Sequence, residues 1–323
     1  MTLAAIDPEI QLFVDGIAAG YASYPDVMTA PLPQARQIVE DVRRPWRQGG
    51  PQILSIEERE VALPGGVMRV RVYRPHSRRD GPALIYLHGG GFTFFSIDTH
   101  DRLMREYAAS AGVVVLGLDY PLAPEAKFPV ALHQIVAFVE WLAKEACELG
   151  IDPSRVAIGG DSAGGNLAIA TALLLRERGR PDFVKALLLN FPGLSPEKSA
   201  NAIARFGGDG AILSAKEADF FWNNYLSDAE DRINPLANIL AADPAGLPPA
   251  LFVVAENDLL AEQSAIMAER IAAAGGIVEL KLYPGAVHGF IEAMSVSALA
   301  RQAIDDAARW LAAVLTVESV GAQ

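Results

Sequence analysis

The residues best suited to chemistry lie in one short segment of this chain, Gly160-Asp161-Ser162-Ala163-Gly164. An apolar run precedes the segment at residues 156–158, and an apolar pattern with helical spacing follows it. Glycines two positions before and after Ser162 allow a turn tight enough to hold its Oγ clear of a sheet, where a substrate can reach it. The segment therefore predicts a nucleophilic serine between a strand and a helix, with Asp161 as a carboxylate that fixes the loop.

A serine hydroxyl is a weak nucleophile at neutral pH, so a base and a group that orients this base must accompany it. Residues 277–283 form a predicted strand, and the loop after it carries His288, the candidate base. Residues 251–255 form another predicted strand, and the carboxylates of Glu256 and Asp258 follow it. Either carboxylate could orient an imidazole. The spacing from the strand and the leucine that follows favour Asp258 over Glu256.

A glycine run at residues 89–91 offers the donors that a developing oxyanion needs. The run comes after the apolar residues 83–87 and after His88, and without Cβ atoms its backbone N–H groups can turn inward. His88 has two interpretations, as a base or as a brace that holds the glycine loop through side-chain hydrogen bonds. Its position before the glycines favours the brace.

Together these motifs resemble those of the bacterial hormone-sensitive-lipase-like carboxylesterases, over nearly all of the chain from about residue 53 onward. The motifs are His88-Gly89-Gly90-Gly91-Phe92, Asp119-Tyr120-Pro121-Leu122-Ala123-Pro124-Glu125 continuing to Phe128-Pro129, Gly160-Asp161-Ser162-Ala163-Gly164, Asp258-Leu259-Leu260 and His288-Gly289-Phe290. The resemblance implies an α/β-hydrolase fold, with Ser162, Asp258 and His288 as the catalytic triad in the chain order expected of that fold. It also implies three oxyanion-hole donors, the backbone N–H groups of Gly90, Gly91 and Ala163.

Two positions depart from the family pattern. Pro121 stands where the family usually has arginine, and Leu259 stands where it often has proline. Neither residue is a reacting group, so the triad assignment is unaffected. The subfamily and the shape of the loop around Tyr120 are left open.

The elements that must position these residues follow from the period of the apolar pattern. From residue 83 onward short apolar strands alternate with helical segments, which indicates a mostly parallel sheet with crossover helices. Before them, two alternating segments flank Pro64-Gly65-Gly66 and predict a β-hairpin. The predicted fold class is α/β, with strands at residues 53–63, 67–73, 83–87, 113–118, 156–159, 186–189, 251–255 and 277–283.

Two stretches break this alternation, and we expect both to cover the site as a helical cap. The predicted division is an N-terminal part of the cap at residues 1–48 and a catalytic domain at residues 49–323, whose segment 195–232 contributes to the cap. A helix at residues 214–226 carries a capping box, Ser214-x-x-Glu217. Its aromatic residues either complete the acyl pocket or only pin the helix to the core; they are Phe220, Phe221, Trp222 and Tyr225.

The composition of the chain limits the classes of partner that it can bind. The chain has 323 residues, of which 51% are hydrophobic, and a net charge of −12. This length suffices for one large α/β domain with a cap. An acidic chain repels nucleic acid and anionic membranes, and no window is apolar enough to span a bilayer. We therefore expect a small-molecule ester substrate and neither nucleic acid nor a membrane as partner, and a homodimer stays open.

The cysteine and histidine residues indicate which cellular compartment to expect and whether to expect a metal or cofactor. The single cysteine, Cys147, fits a reducing compartment, and we expect it to pack on a helix. The first residues lack the basic region and the apolar core of a signal peptide, so we expect a cytoplasmic protein. The five histidines show no metal-ligand spacing, and we expect no metal and no cofactor.

Three functions fit these observations: a carboxylesterase for short or medium acyl esters, an amidase of arylacetamide type with the same triad, and a ligand-binding protein without turnover. The plant gibberellin receptors, which the chain distantly resembles, are of the third kind and have lost the triad histidine, whereas His288 is present here. Ester and amide cleavage pass through the same intermediate, so the triad does not separate them. The resemblance favours the esterase. A pocket roofed by short cap elements predicts a preference that rises from acetate toward butyrate or hexanoate and falls by dodecanoate.

Overall fold

An eight-stranded sheet forms the centre of the molecule, in a computed structural model that describes residues 5–76 and 81–316. Its strands are β1 (Ser55–Leu63), β2 (Gly66–Arg74), β3 (Gly81–Leu87), β4 (Val114–Asp119), β5 (Ile151–Asp161), β6 (Ala186–Asn190), β7 (Ala250–Asn257) and β8 (Val278–Val287). They lie in the order β1-β2-β4-β3-β5-β6-β7-β8. Strand β2 is antiparallel to both of its neighbours, and the other pairs are parallel. The predicted mostly parallel sheet is confirmed.

Helices cover both faces of the sheet. They are α1 (Pro8–Tyr21), α2 (Leu32–Arg43), α3 (Asp101–Ala111), α4 (Val130–Glu145), α5 (Ala163–Glu177), α6 (Ala200–Phe206), α7 (Ala215–Tyr225), α8 (Ala229–Ile233), α9 (Ala261–Ala273) and α10 (Ala298–Thr316). One apolar cluster joins the sheet to α4, α5 and α9, and a second joins it to α1, α3 and α10. The sheet is therefore the middle of three layers.

Strand β3 shows why the central strands read as continuous apolar runs. Ile85 and Leu87 belong to one apolar cluster, while Leu84 and Tyr86 belong to the other, as the two-residue period of a strand requires. A strand buried on both faces needs apolar residues at every position. Because the parallel strands share one direction, the loops that follow β3, β5, β7 and β8 all lie at the same edge of the sheet.

The element types predicted from the sequence are confirmed, with differences at their ends. Strand β8 continues to Val287, so that His288 follows the strand directly instead of standing within a longer loop. The capping box of α7 is formed as predicted. The short helices α6 and α8 were not predicted. The expectation for Cys147 is wrong, because its side chain is exposed in the 3₁₀ turn Ala146–Leu149.

Helices α1 and α2 belong to the stretch predicted as the N-terminal part of the cap, and α6, α7 and α8 belong largely to the second stretch. Residues 1–4 and 317–323 of the predicted division lie outside the described residues. Within the described ranges, no helix combines the length and the apolarity that crossing a bilayer requires.

Candidate active site

The turn after β5 holds Ser162 in a backbone conformation that few residues adopt. Its φ of 52° and ψ of −115° lie in a region that strains any residue with a Cβ. The Ser162 N–H donates to the carbonyl of Asn190 at 2.9 Å, which fixes the turn against β6. A Cβ at Gly160 or Gly164 would overlap the carbonyl oxygen of Leu87. The glycines of the motif are therefore required by the close approach of the neighbouring strand.

Three groups from distant parts of the chain form one hydrogen-bonded line. The Nε2 atom of His288 lies 3.1 Å from Ser162 Oγ, and its Nδ1 atom lies 2.9 Å from Asp258 Oδ2. Ser162 occupies the N-cap position of α5 but caps no backbone N–H there, so its hydroxyl is available to the histidine. Asp258 is fully buried, and its second oxygen accepts the Leu260 N–H at 2.9 Å.

The surroundings of His288 set its proton affinity and its tautomer. Burial alone would lower the pKa of His288, but the negative charge and the hydrogen bond of Asp258 outweigh it, and the pKa is raised above the usual 6.5. In the neutral ring, Nδ1 donates to the carboxylate, which leaves Nε2 free to accept a proton from the serine hydroxyl.

Glu256, the competing carboxylate, is engaged elsewhere. Its Oε2 atom accepts the Gly285 N–H at 2.9 Å and so ties the end of β7 to the turn in β8. The structure places Asp258 beside the imidazole of His288 and gives Glu256 a loop-holding contact.

The glycine run after β3 presents free backbone donors beside the serine. Gly90 and Gly91 have φ values of 101° and 59°, and a Cβ would overlap the Phe94 carbonyl in one case and the Phe221 ring in the other. In the described part of the chain, the backbone N–H groups of Gly90, Gly91 and Ala163 donate to no other residue. An oxyanion requires N–H groups that are not already donating hydrogen bonds to the protein.

Asp161 is the centre of a buried network that holds the serine turn. Its carboxylate accepts the Tyr86 hydroxyl at 2.9 Å and lies 3.2 Å from Nε2 of His100. Burial by itself would raise the pKa of Asp161, but the charge of His100 outweighs it and the pKa is lowered. Burial would likewise lower the pKa of His100, whereas Asp161 raises it. The two form a buried hydrogen-bonded pair next to Ser162. Asp161 was predicted as a loop-fixing carboxylate, but His100 was missed because its local pattern shows only the start of a helix.

His88 contacts the loop that carries the glycines. Its Nδ1 atom lies 2.8 Å from the Gly89 carbonyl oxygen, and its ring stacks on Tyr120 with 4.4 Å between centroids. The Tyr120 hydroxyl donates to the His88 carbonyl at 2.7 Å. Burial, with the neighbouring charge of His100, lowers the pKa of His88 to about 4, so the ring is neutral near pH 7. These contacts are those of a brace.

Two cavities meet at Ser162. The larger, of about 240 Å³, extends under α1 and α2 and is lined in part by His288, Arg43 and Glu292. The smaller, of about 30 Å³, lies on the Ala163 side. Its walls are largely apolar; they include Phe92, Leu213, Phe221, Trp222 and Leu260. The aromatic residues of α7 divide between the two interpretations given above. Phe221 and Trp222 line this cavity, whereas Tyr225 stacks on Phe92 at 3.8 Å and pins the helix.

Within residues 5–76 and 81–316, no group of three or more histidine, cysteine, aspartate or glutamate side chains is arranged to hold a metal ion. The groups that the structure brings together at the site are a serine, a histidine, an aspartate and backbone N–H donors. A buried serine–histidine–aspartate line at the strand ends of a parallel sheet is the arrangement of a hydrolase of the α/β class.

Comparisons with known proteins place the chain within that class. A family model described as an alpha/beta hydrolase fold matches residues 84–292. Carboxylesterase NlhH of Mycobacterium tuberculosis is 37% identical over 298 residues, which are 88% of this chain and 89% of that protein. The chain therefore belongs to the alpha/beta hydrolase fold family, and its resemblance to the hormone-sensitive-lipase-like carboxylesterases is confirmed.

Solved structures show the same likeness. A hyperthermophilic esterase from the archaeon Pyrobaculum calidifontis superposes with a TM-score of 0.90 at 31% identity, covering 96% of this chain and 98% of that one. EstE1, a thermophilic carboxylesterase cloned from a metagenomic library, gives a TM-score of 0.85 at 36% identity, with 88% and 98% coverage. The likeness therefore extends over most of the chain in both cases.

Proposed function

We propose that this protein is a serine carboxylesterase that hydrolyses esters of short acyl chains through a covalent acyl-enzyme intermediate. The observation that carries the proposal is the line from Ser162 through His288 to Asp258, with separations of 3.1 and 2.9 Å. The free backbone donors beside the serine and the carboxylesterase activity of the relatives support it.

The proposed catalytic cycle has two halves, acylation of the serine and deacylation by water. Each of these groups acts once in each half. His288 Nε2 accepts the proton of Ser162 Oγ while this oxygen attacks the ester carbonyl carbon. The three free backbone N–H groups hold the resulting oxyanion, and Asp258 stabilises the imidazolium. His288 then gives its proton to the departing alcohol, and the acyl group stays on the serine. Water repeats the sequence with the same base and releases the acid.

We use the position of His288 to assign one cavity to the alcohol portion of the substrate and the other to the acyl portion. The departing alcohol oxygen must receive a proton from His288, so the alcohol portion of the substrate lies on the histidine side, in the cavity of about 240 Å³. The acyl portion then enters the cavity of about 30 Å³ next to Ala163, which His288 does not line.

The small acyl cavity limits the chain length. One water needs about 10–15 Å³ of such space, so a cavity of about 30 Å³ admits roughly two or three non-hydrogen atoms. Acetyl, propionyl and butyryl groups fit this limit, and longer chains require the walls to move. The proposed optimum is therefore butyrate, at the lower end of the range expected from the sequence.

We also propose that residues 1–48 form the N-terminal part of a helical cap over the catalytic domain. Its support is that α1 and α2 line the alcohol cavity, and that Arg36 on α2 donates to the carbonyls of Thr93 and Ala123 at 3.0 Å each. Deleting residues 1–48 should lower both the thermal midpoint and kcat/KM for a butyrate ester, although the deletion removes no catalytic group. Full activity in the deletion variant would contradict this role.

A cytoplasmic location and a homodimer are further proposals. The single cysteine supports a reducing compartment. Fractionation of the native cells and light scattering of the purified protein would test the location and the oligomeric state.

The proposal is tested with 4-nitrophenyl butyrate and the variants Ser162→Ala and Ser154→Ala, with circular dichroism as the check on folding. Ser154 is exposed and remote from the cavities, so its variant controls for the loss of a serine hydroxyl. We expect Ser162→Ala to lose about 10⁴-fold or more of kcat and Ser154→Ala to match the wild type. Near-normal turnover by a folded Ser162→Ala variant would contradict the proposal. Faster hydrolysis of the matching butyranilide than of the ester would favour the amidase.

A further inference from the structure

The alcohol cavity contains a buried arginine whose hydrogen-bonding capacity is not used. Arg43, at the end of α2, is only 6% exposed and lines the cavity. Its Nε atom lies 2.8 Å from Oε2 of Glu292 in an ion pair, but neither Nε nor Nη1, both closed to solvent, makes a hydrogen bond in the described part of the chain. Buried polar groups in folded proteins nearly always find a partner. A guanidinium group that lines a substrate cavity with donors left unpaired by the protein therefore points to a partner on the substrate.

Aromatic rings hold the guanidinium in place. Its central carbon lies 5.1 Å from the ring centroid of Phe95, 5.9 Å from that of Tyr21 and 6.0 Å from that of Phe13. Two of these residues are on α1, and the third follows the glycine run. A side chain held by rings and by an ion pair has little freedom to turn elsewhere, so its donor position is preorganised.

Glu292 supplies the opposite hydrogen-bonding role. It lines the same cavity, lies shortly after His288 in the chain, and uses Oε2 to face Arg43. A carboxylate accepts hydrogen bonds through both of its oxygens, so Oε1 is a second acceptor beside Arg43. The pair thus presents a donor and an acceptor side by side. A hydroxyl group is the substituent that can use both, because it donates one hydrogen bond and accepts others.

The paired charges of the wall favour a neutral alcohol. Besides the Arg43–Glu292 pair, the cavity is lined by the carboxylates of Glu217 and Asp161, and Asp161 is paired with His100. Arg43 and Glu292 neutralise each other, so the pair offers no uncompensated charge to an anionic or a cationic alcohol, and an anionic alcohol would also meet the Glu217 carboxylate. Like charges brought together in a cavity of low polarity lower affinity.

We infer that Arg43 and Glu292 determine specificity for the alcohol portion of the ester, and that they select a neutral alcohol bearing at least one further hydroxyl group. The inference rests on the proposed function, since it concerns the leaving group of the same reaction. The two residues bind the alcohol portion of the substrate and take no part in proton transfer.

The test compares four butyrate esters that share one acyl group and differ only in the alcohol: propyl, 2,3-dihydroxypropyl, carboxymethyl and choline. For each ester kcat/KM is measured with the wild type, with the double variant Arg43→Met/Glu292→Met, with Glu292→Gln, and with Arg44→Met. Arg44 is the next residue along the chain and its side chain is exposed, so its variant controls for the loss of an arginine. Ratios of kcat/KM between esters on one enzyme do not depend on the folded fraction, so a destabilised variant still gives an answer.

The wild type and Arg44→Met should prefer the dihydroxypropyl ester over the propyl ester by roughly tenfold or more, as expected of hydrogen bonds to charged groups. The double variant should reduce this ratio to about one, and Glu292→Gln, which keeps an acceptor, should fall between. Equal rates for the two neutral esters in the wild type would overturn the inference. So would an unchanged ratio in the double variant or a preference for either charged ester. If no butyrate ester is hydrolysed at all, the proposed function fails, and this inference fails with it.

Discussion

The acyl cavity makes a quantitative prediction about chain length. Lengthening acetate to butyrate places two more methylenes in the cavity, and each is worth about 0.8 kcal/mol when buried. Since about 1.4 kcal/mol is a factor of ten in rate, kcat/KM should rise roughly fourfold per methylene and about 15-fold in total. Beyond butyrate, the cavity of about 30 Å³ has no more room, and octanoate should fall below butyrate by roughly tenfold or more.

Trp222 is the wall residue to change. It lines the acyl cavity and packs against Phe92 with 5.3 Å between ring centroids. Trp222→Leu removes about six non-hydrogen atoms and should destabilise the fold by less than the roughly 3–5 kcal/mol of a tryptophan-to-alanine change. The optimum should move from butyrate to hexanoate or octanoate, because the added volume accommodates the extra methylenes.

Phe220→Leu is the matched control. Phe220 lies on the same helix but packs against Phe94 instead of lining the acyl cavity. The assay is kcat/KM for 4-nitrophenyl esters from acetate to dodecanoate with all three enzymes. A wild-type profile in Trp222→Leu, an equal shift of the optimum in Phe220→Leu, or a wild-type preference for the longest chains would contradict the limit that the cavity volume sets.

The remaining predictions concern the catalytic groups. Because the pKa of His288 is raised and only the neutral ring accepts a proton, kcat/KM should fall on acidification through a single ionisation with a midpoint above pH 6.5, which a pH–rate profile measures; a midpoint below that value would contradict the pairing with Asp258. Asp258→Asn should reduce kcat by about 10⁴-fold and Glu256→Gln far less, and the reverse ranking in steady-state kinetics would transfer the orienting role. Gly91→Ala should cost about 10²–10³-fold in kcat, because the new Cβ displaces the donor loop, whereas Gly208→Ala, where a Cβ meets no neighbour, should be near normal; equal losses would count against the oxyanion assignment.

The fold could be predicted well from the sequence because its main signals are local. The central strands are buried on both faces, so each appears as a continuous apolar run, and the serine and the aspartate each follow such a run. The histidine follows the edge strand β8, whose residues alternate between apolar and charged. Helix α7 was predicted because its capping box is complete within four consecutive positions. The short helix α6 was missed because its cap, Ser199, is followed by too few residues to show a periodic pattern.

The parts of the site that could not be predicted depend on distances across the fold. His100 pairs with Asp161 across 61 positions of the chain, and no local pattern shows that a histidine at the start of a helix has a carboxylate as its partner. Arg43 and Glu292 likewise come together only when α2 packs over the loop after β8. Cys147 was expected to pack on a helix because no histidine or second cysteine is near it in the sequence, but it lies in the 3₁₀ turn after α4, where its side chain is exposed.

The proposed mechanism requires the acyl group to form a covalent bond with Ser162. Wild-type protein mixed with excess 4-nitrophenyl butyrate and quenched in acid within the first turnovers should carry one butyryl group, which peptide mass spectrometry should locate on Ser162. The adduct should accumulate in Asp258→Asn and be absent in Ser162→Ala. A butyryl group on another residue, or no adduct in any folded variant that hydrolyses the ester, would contradict the account.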